Sequence, residues 1–417
     1  MTSKPDLHSR QDQFKAKARE RNRAAAANEL ARLSARPGYR PELAYFINLF
    51  SEGHSIETVA RRVGRPVAAL MCLQAPLELF HALKVHPFRI SSGSFSDGQM
   101  AAPHLPALTC PVLHAALGAL ELEKQGNRVQ RAGGLVIPAT CDWVVKFPEM
   151  ARMGGTALPA IHWMELPRLK NSQRARERWF SEVMALGEFL EKLSGRKLKR
   201  RELLKTLETF KAARQALSRL IALRRAGRVP APWFFLIAWA FFLDHVENWT
   251  SAVESALSAF NQAAPEGGRI FLAGSPIYFP NFKMPHLLEE AGLLLMADDL
   301  CSSERIFPVN VAVPDPSETG ILRSLAETYH QGCLCPTFGD NDRRVNNILG
   351  ALPDSGIKGV VFHVLKGCHP YDLESMALEA PLKAARLRFL KVETDYTAED
   401  SRNILTRLEA FRRTLGE

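Results

Sequence analysis

Residues 269 to 299 read RIFLAGSPIYFPNFKMPHLLEEAGLLLMADD. Arg269 to Ser275 is a short apolar strand ending in a glycine turn. Lys283 to Ala291 has helical spacing, and Leu293 to Ala297 is a second strand that stops at Asp298-Asp299. Two strands joined through a helix pair in parallel, because the crossover returns the chain to the edge from which it started. The unit recurs downstream as a strand from Gly359 to Leu365, a helix from Asp372 to Ala385 and a strand from Leu387 to Glu393, and a last helix from Ala398 to Leu415 closes it. The pattern predicts an α/β fold with a doubly wound parallel sheet. Ligands of such sheets lie beyond the carboxyl ends of the strands, and Cys301 and Cys368 fall just past two of those ends.

Working upstream, residues 41 to 70 hold two short helices, the second from Ser55 to Val63 and followed by Gly64-Arg65-Pro66. Short apolar segments then alternate with turns at Gly93, Gly98, Gly133 and Gly134, which makes 41–165 an α/β lobe. From Asn171 the spacing turns helical, with Trp179, Val183, Leu186, Phe189, Leu190 and Leu193 on one face and many Lys and Arg on the other. A helical segment over 166–262 therefore separates 41–165 from a second α/β lobe over 263–417.

A chain of 417 residues exceeds one compact core, and its 46% hydrophobic and 24% charged residues are those of a globular protein. The longest apolar run, Trp233 to Leu243, is 11 residues, against about 20 for a membrane helix. With no apolar stretch behind the polar N-terminus, the expectation is a cytoplasmic protein without a membrane association. Disulfides are disfavoured in that compartment, so its cysteines are ligands, catalytic groups or core residues. The net charge of +10 is concentrated in part at the N-terminus, where Arg10, Lys15, Lys17, Arg19, Arg21, Arg23, Arg32 and Arg36 alternate with alanines. Residues 1–40 read as a basic extension, either solvated or a docking arm for an acidic partner or anionic substrate. No nucleic-acid motif accompanies the charge, and no nucleic-acid partner is expected.

Of the seven cysteines, Cys110, Cys141, Cys301, Cys333, Cys335 and Cys368 sit beside Pro, Gly, Asp or His at apparent strand ends or helix starts. Such positions leave backbone amides free to point at a thiolate, as an iron-sulfur site needs. Spacings of 31 residues from Cys110 to Cys141 and 32 from Cys301 to Cys333 exclude a compact ferredoxin-type string. What remains is a site built from distant loops, or buried cysteines with no ligand role. Cys333-Leu334-Cys335 can turn two thiols to one side because Gly332 and Pro336 flank it. His363 and His369 near Cys368 allow a Cys/His nucleophile, although no third orienting group is evident. No closely paired C-x-x-C element signals zinc, and no P-loop or G-x-G-x-x-G signals nucleotide binding.

The segments TCPVLHAALG (109–118), PATCDWVVK (138–146), RIFLAGSPI (269–277), DDLCSSER (298–305), GCLCPTFGDNDRR (332–344), GVVFHVLKGCHPYDLES (359–375) and VETDYTAEDSRNILTRLEAF (392–411) occur in this order. Together they resemble the 2-hydroxyacyl-CoA dehydratase and benzoyl-CoA reductase D-component family over about residues 65–415. The resemblance implies two doubly wound parallel-sheet lobes with an iron-sulfur cubane at their interface, held by Cys110, Cys141 and Cys368. Cys301, Cys333, Cys335 and Cys72, the last in CLQAPLEL, resemble the double-cubane branch, in which six cysteines of one chain hold a bridged 8Fe-9S cluster; here seven compete for six places. The alternative is a single 4Fe-4S cluster.

The function implied is an ATP-dependent, low-potential iron-sulfur reductase component acting on a small molecule. The alternative is a subunit of a 2-hydroxyacyl-CoA dehydratase or benzoyl-CoA-type reductase acting on an acyl-CoA. Either would be reduced by a separate homodimeric ATPase activator carrying its own 4Fe-4S cluster, and would assemble as a homodimer or as a heterodimer with a paralogue. His363, His369, Tyr371 and Glu374 flank Cys368, and of these His363, His369 and Glu374 are the catalytic candidates as proton donors; packing or helix capping explains them equally.

Overall fold

The computed structural model describes residues 7–123, 132–153, 160–307, 310–339, 342–350 and 356–416. The chain opens with α1 (Leu7–Ser34), α2 (Ala44–Ser51) and α3 (Ile56–Val63), then runs β1 (Val67–Leu70), α4 (Leu77–Ala82), β2 (His86–Arg89), α5 (Phe95–Ala101), α6 (Pro111–Glu123), β3 (Ala132–Pro138), α7 (Asp142–Met153) and β4 (Ile161–Met164). Four helices follow: α8 (Gln173–Ser194), α9 (Arg200–Arg225), α10 (Ala231–Ala240) and α11 (Val246–Ala256). The second α/β part comprises β5 (Gly268–Gly274), α12 (Lys283–Glu290), β6 (Leu293–Asp298), α13 (Glu318–Gln331), α14 (Asp342–Gly350), β7 (Gly359–Leu365), α15 (His369–Ala384), β8 (Arg388–Thr394) and α16 (Ser401–Arg413).

Both sheets have four strands paired in parallel throughout, in the orders β2-β1-β3-β4 and β6-β5-β7-β8. The expected crossover through 269–299 is β5-α12-β6, and the strand order is the same in the two lobes. Helices start where hydroxyls are available: the Ser55, Ser94, Ser172 and Ser317 side chains accept the amides of Thr58, Asp97, Ala175 and Gly320. Gly64 and Gly195 take the left-handed conformation that ends α3 and α8.

The apolar run read from the sequence is α10, whose ten residues are all buried. It packs against α2, α9 and α12, so it is core. Among the described residues no helix is long and apolar enough to cross a membrane. The basic N-terminal segment is a largely exposed helix that is docked along one stripe. Ala26, Leu30 and Leu33 recur at helical spacing and are buried in the main core, a stripe that the surrounding arginines obscure in the sequence. Asn22 meets Asp97 of the first lobe, while Glu29 and Arg36 meet His286 and Glu289 of the second.

Glu78 on α4 is fully buried and pairs with Arg214 of α9; its other oxygen accepts from Tyr329 of α13 at 2.7 Å, and Tyr329 in turn accepts from the Leu77 amide at 3.0 Å. Removing one partner of a buried pair strands the other charge. Arg214→Met is therefore expected to lower unfolding free energy by about 3 to 5 kcal/mol in denaturant titration, and adding Glu78→Gln should restore most of the loss.

Burial holds His54 and His86 down to about 4. The unfolded chain binds protons near pH 6.5, so between pH 6.5 and 4 it takes up protons that the folded chain refuses, and stability falls as pH falls. At about 1.4 kcal/mol per tenfold in proton affinity, the loss is roughly 3 kcal/mol for each residue. A His86→Gln variant should show a shallower decline in melting temperature across that window than the parent.

Candidate functional site

All seven cysteines are free, and all seven line one cavity of about 330 Å³. The cavity lies where the carboxyl ends of the two sheets face each other. Cys72 follows β1, Cys141 follows β3, Cys301 follows β6 and Cys368 follows β7, with Cys110 before α6 and Cys333 and Cys335 between α13 and α14. Electrostatic coupling ties the set together: Cys72 with Cys141 and Cys301, Cys110 with Cys141 and Cys368, and Cys335 with Cys141 and Cys333.

Three thiols sit at helix starts. The amides of Val112 and Leu113 point at Cys110, those of Trp143 and Val144 at Cys141, and that of Tyr371 at Cys368, which also faces the Ser275 hydroxyl. Free amides and the helix dipole favour negative charge at such places. The dry setting opposes it: burial raises Cys110 and Cys141 and pushes Cys333 and Cys368 up to about 12. Cys301 behaves oppositely. Burial would raise it, but the guanidiniums of Arg89 and Arg305 outweigh burial and hold the thiol below its ordinary value.

Charged groups interrupt an otherwise largely apolar wall: Asp299 and Arg305 line the cavity, and Arg344 and Lys170 stand behind it. Asp299 pairs with Arg305 at 2.7 Å and with Arg344, and Arg344 pairs with Glu374 at 2.6 Å. Both arginines also donate to the Leu334 carbonyl, at 2.5 and 2.7 Å. Lys170 donates to the Cys333 carbonyl, and the Gln74 amide reaches the Cys333 sulfur at 3.4 Å. The Cys333-Leu334-Cys335 turn is thus fixed by cations on three elements. Asp298 is neutralised by Arg224 at 2.6 Å, so the aspartates that end β6 are anchors for arginines.

The cysteines foreseen as ligands are brought together; the foreseen proton donors are not. His363 lies on β7 with Nδ1 against the Ser275 carbonyl at 3.0 Å. Strand alternation points it into a separate, water-sized cavity, and burial lowers it to about 4, which leaves it neutral near pH 7. Glu374 stands behind Arg344 and is not part of the cavity wall. His369 is exposed and stacks on Trp143, with ring centroids 6.2 Å apart. Tyr371 does line the cavity and accepts from Arg305 at 3.2 Å. Arg89, Gln74, Lys170 and Tyr278 were not foreseen. Arg305 and Arg344 close two of the quoted cysteine segments, a signal that sequence reading passed over.

Among the described residues, no three His, Cys, Asp or Glu side chains converge on a point that could hold a single metal ion. A polynuclear cluster needs a different arrangement, with thiolates spaced around it and each bound to its own iron. Soft sulfur donors around one cavity, with hydrogen-bond donors aimed at sulfur and carboxylates already paired to arginine, fit such a group.

Gly367 brings Cys368 against the first lobe. It has φ +75°, and a Cβ there would lie 2.1 Å from the Leu108 carbonyl oxygen. The Trp143 indole also donates to the Gly367 carbonyl at 3.0 Å. In metal-free protein a short bifunctional thiol reagent should link Cys110 to Cys368. Gly367→Ala should cut that yield, as read by peptide mass mapping, and cost about 1 to 3 kcal/mol of stability.

The model of the family described as 2-hydroxyglutaryl-CoA dehydratase, D-component, matches residues 72–415. The protein of Escherichia coli (strain K12) that bears the name "Putative dehydratase subunit YjiM" is 24% identical over 363 residues, covering 84% of this chain and 91% of its own. The beta subunit of (R)-phenyllactyl-CoA dehydratase from Clostridium sporogenes is 22% identical, with coverage of 85% and 93%. A benzoyl-CoA reductase subunit from Thauera aromatica is 23% identical, with coverage of 79% and 84%.

Proposed function

Because the chain belongs to the 2-hydroxyglutaryl-CoA dehydratase D-component family, we propose that it is the iron-sulfur component of a low-potential reductase, with a double-cubane cluster held in the seven-cysteine cavity. The observation that carries this reading is the convergence of all seven thiols on one cavity. Cys110, Cys141 and Cys368 hold one part of the cluster at three helix starts, and three of Cys72, Cys301, Cys333 and Cys335 hold the other. When bound, such a cluster stores and passes single electrons at very negative potential.

The chain's own residues do the rest. Val112, Leu113, Trp143, Val144 and Tyr371 offer amides to sulfur, Arg305, Arg344 and Lys170 fix the Cys333-Leu334-Cys335 turn, and the apolar wall excludes water. Tyr371 is the proton donor best placed toward the cavity, because its hydroxyl rests on Arg305 at 3.2 Å. Family likeness implies that ATP-driven reduction is the work of a separate activator, an ATPase dimer with its own 4Fe-4S cluster. The reductase assembles as a dimer and acts on a small molecule in the cytoplasm.

A second reading is favoured by the names of the relatives: a subunit of an acyl-CoA dehydratase or aryl-CoA reductase with one cubane on Cys110, Cys141 and Cys368, paired with a paralogue. Iron and sulfide analysis of anaerobically reconstituted protein separates the two. The double-cubane reading expects about eight irons per chain, falling to about half in at least one of Cys301→Ser and Cys333→Ser. About four irons, unchanged by either substitution, would establish the second reading.

A further inference from the structure

Arg89 ends β2 and is 2% exposed, in the wall of the thiol cavity. Among the described residues, no carboxylate lies within ion-pair reach of it, whereas Arg305 and Arg344 share Asp299 and Glu374. A buried, unpaired guanidinium is costly and calls for a compensating negative charge. Its contacts show where that charge belongs. Nη1 donates to the Cys301 carbonyl at 2.5 Å and Nη2 to the Cys301 sulfur at 3.2 Å, across 212 residues of chain. The plane is held over Tyr278 at 5.0 Å and Trp239 at 5.9 Å, and Nε has no partner. The group is clamped by rings and aimed at sulfur.

Resting on the cluster reading above, we infer that Arg89 is a positioning residue that sets the reduction potential of the cluster through the sulfur of Cys301. Each electron added to thiolate-bound iron and sulfide raises the negative charge by one. A fixed cation in a dry wall stabilises the reduced form over the oxidised one. The hydrogen bond to sulfur adds to that effect, because it withdraws electron density from the ligand. With Gln74 on Cys333, Arg89 is one of two side chains by which the first lobe grips a cysteine sulfur of the second.

Parent, Arg89→Met and Arg89→Lys proteins, reconstituted anaerobically, are compared by iron content, melting temperature and redox titration followed by paramagnetic resonance. Arg89→Met should keep the parent's iron and lose at least tenfold in the reduction equilibrium, a fall of ~59 mV for a one-electron step. Arg89→Lys, which keeps the charge, should recover more than half of that shift. An iron-loaded Arg89→Met protein with the parent's potential overturns the inference and leaves the cluster assignment standing; a parent chain that takes up no iron overturns both. If Arg89→Met fails to fold or load, parent protein labelled with nitrogen-15 arginine decides. Hyperfine coupling to a guanidinium nitrogen in the reduced spectrum supports the inference, and its absence overturns it.

Discussion

Cys110 and Cys368 come from different lobes, and they share a cavity because backbone passes backbone with no space for a side chain. At Gly367 the chain runs against the Leu108 carbonyl, and at Gly93 a Cβ would lie 2.0 Å from the Tyr278 carbonyl oxygen. These two crossings set how far apart the opposed sheet edges stand. The separation fixes the size of the cavity and how dry it is. Dryness in turn raises most of the thiols, so that in the absence of a cation they stay protonated. A bound metal reverses that order, because coordination removes the proton outright. The same packing therefore disfavours the thiolate at Cys110, Cys333 and Cys368, whereas the arginines beside Cys301 favour it there.

Electrostatic balance follows from the same geometry. Asp299 is nearly inaccessible and carries two arginines, and these in turn carry the Leu334 carbonyl between two cysteines. A buried network of this kind contributes little net stability, but it is expensive to break, so it specifies position more than it strengthens the fold. With Asp299 and Glu374 answering Arg305 and Arg344, Arg89 is left over on the wall. Its guanidinium is answered by the Tyr278 and Trp239 rings and by the carbonyl and sulfur of Cys301 rather than by a carboxylate.

The fold was legible because parallel crossovers announce themselves. Gly359 to Leu365, apolar but for His363, and Leu293 to Ala297 are short runs bounded by turns, and both are largely buried strands. The thiols were legible through their neighbours, since Pro111, Asp142 and Pro370 mark helix starts beside Cys110, Cys141 and Cys368. What could not be read was orientation. His363 is five residues from Cys368 in the chain, yet it faces another cavity because it belongs to the strand and not to the loop after it. Arg89 had no motif to mark it. Its role arises from the approach of β2 to residue 301, a contact between lobes that local sequence does not encode. The packing of the basic N-terminal helix was hidden for a related reason: charge density is a property of the whole helix, whereas its docking rests on a stripe of Ala26, Leu30 and Leu33 and on polar contacts from Asn22, Glu29 and Arg36.

The shared strand order carries one further consequence. The third strand of each sheet, β3 and β7, leads into a helix start with a cysteine, Cys141 and Cys368. The stretch before that strand also supplies a thiol in each lobe, Cys110 and Cys335. The correspondence fails at β1 and β5, where only β1 is followed by a cysteine, Cys72, and at the edge strands β2 and β6. Beyond β6 stands Cys301, and at the end of β2 stands Arg89, and these two meet across the interface at 3.2 Å. A cavity with a cation on one side and a thiol on the equivalent strand of the other is electrostatically polar even though its scaffold is nearly symmetric. Charge placed in it is held more tightly on the Cys301 side than on the side of Cys110 and Cys368.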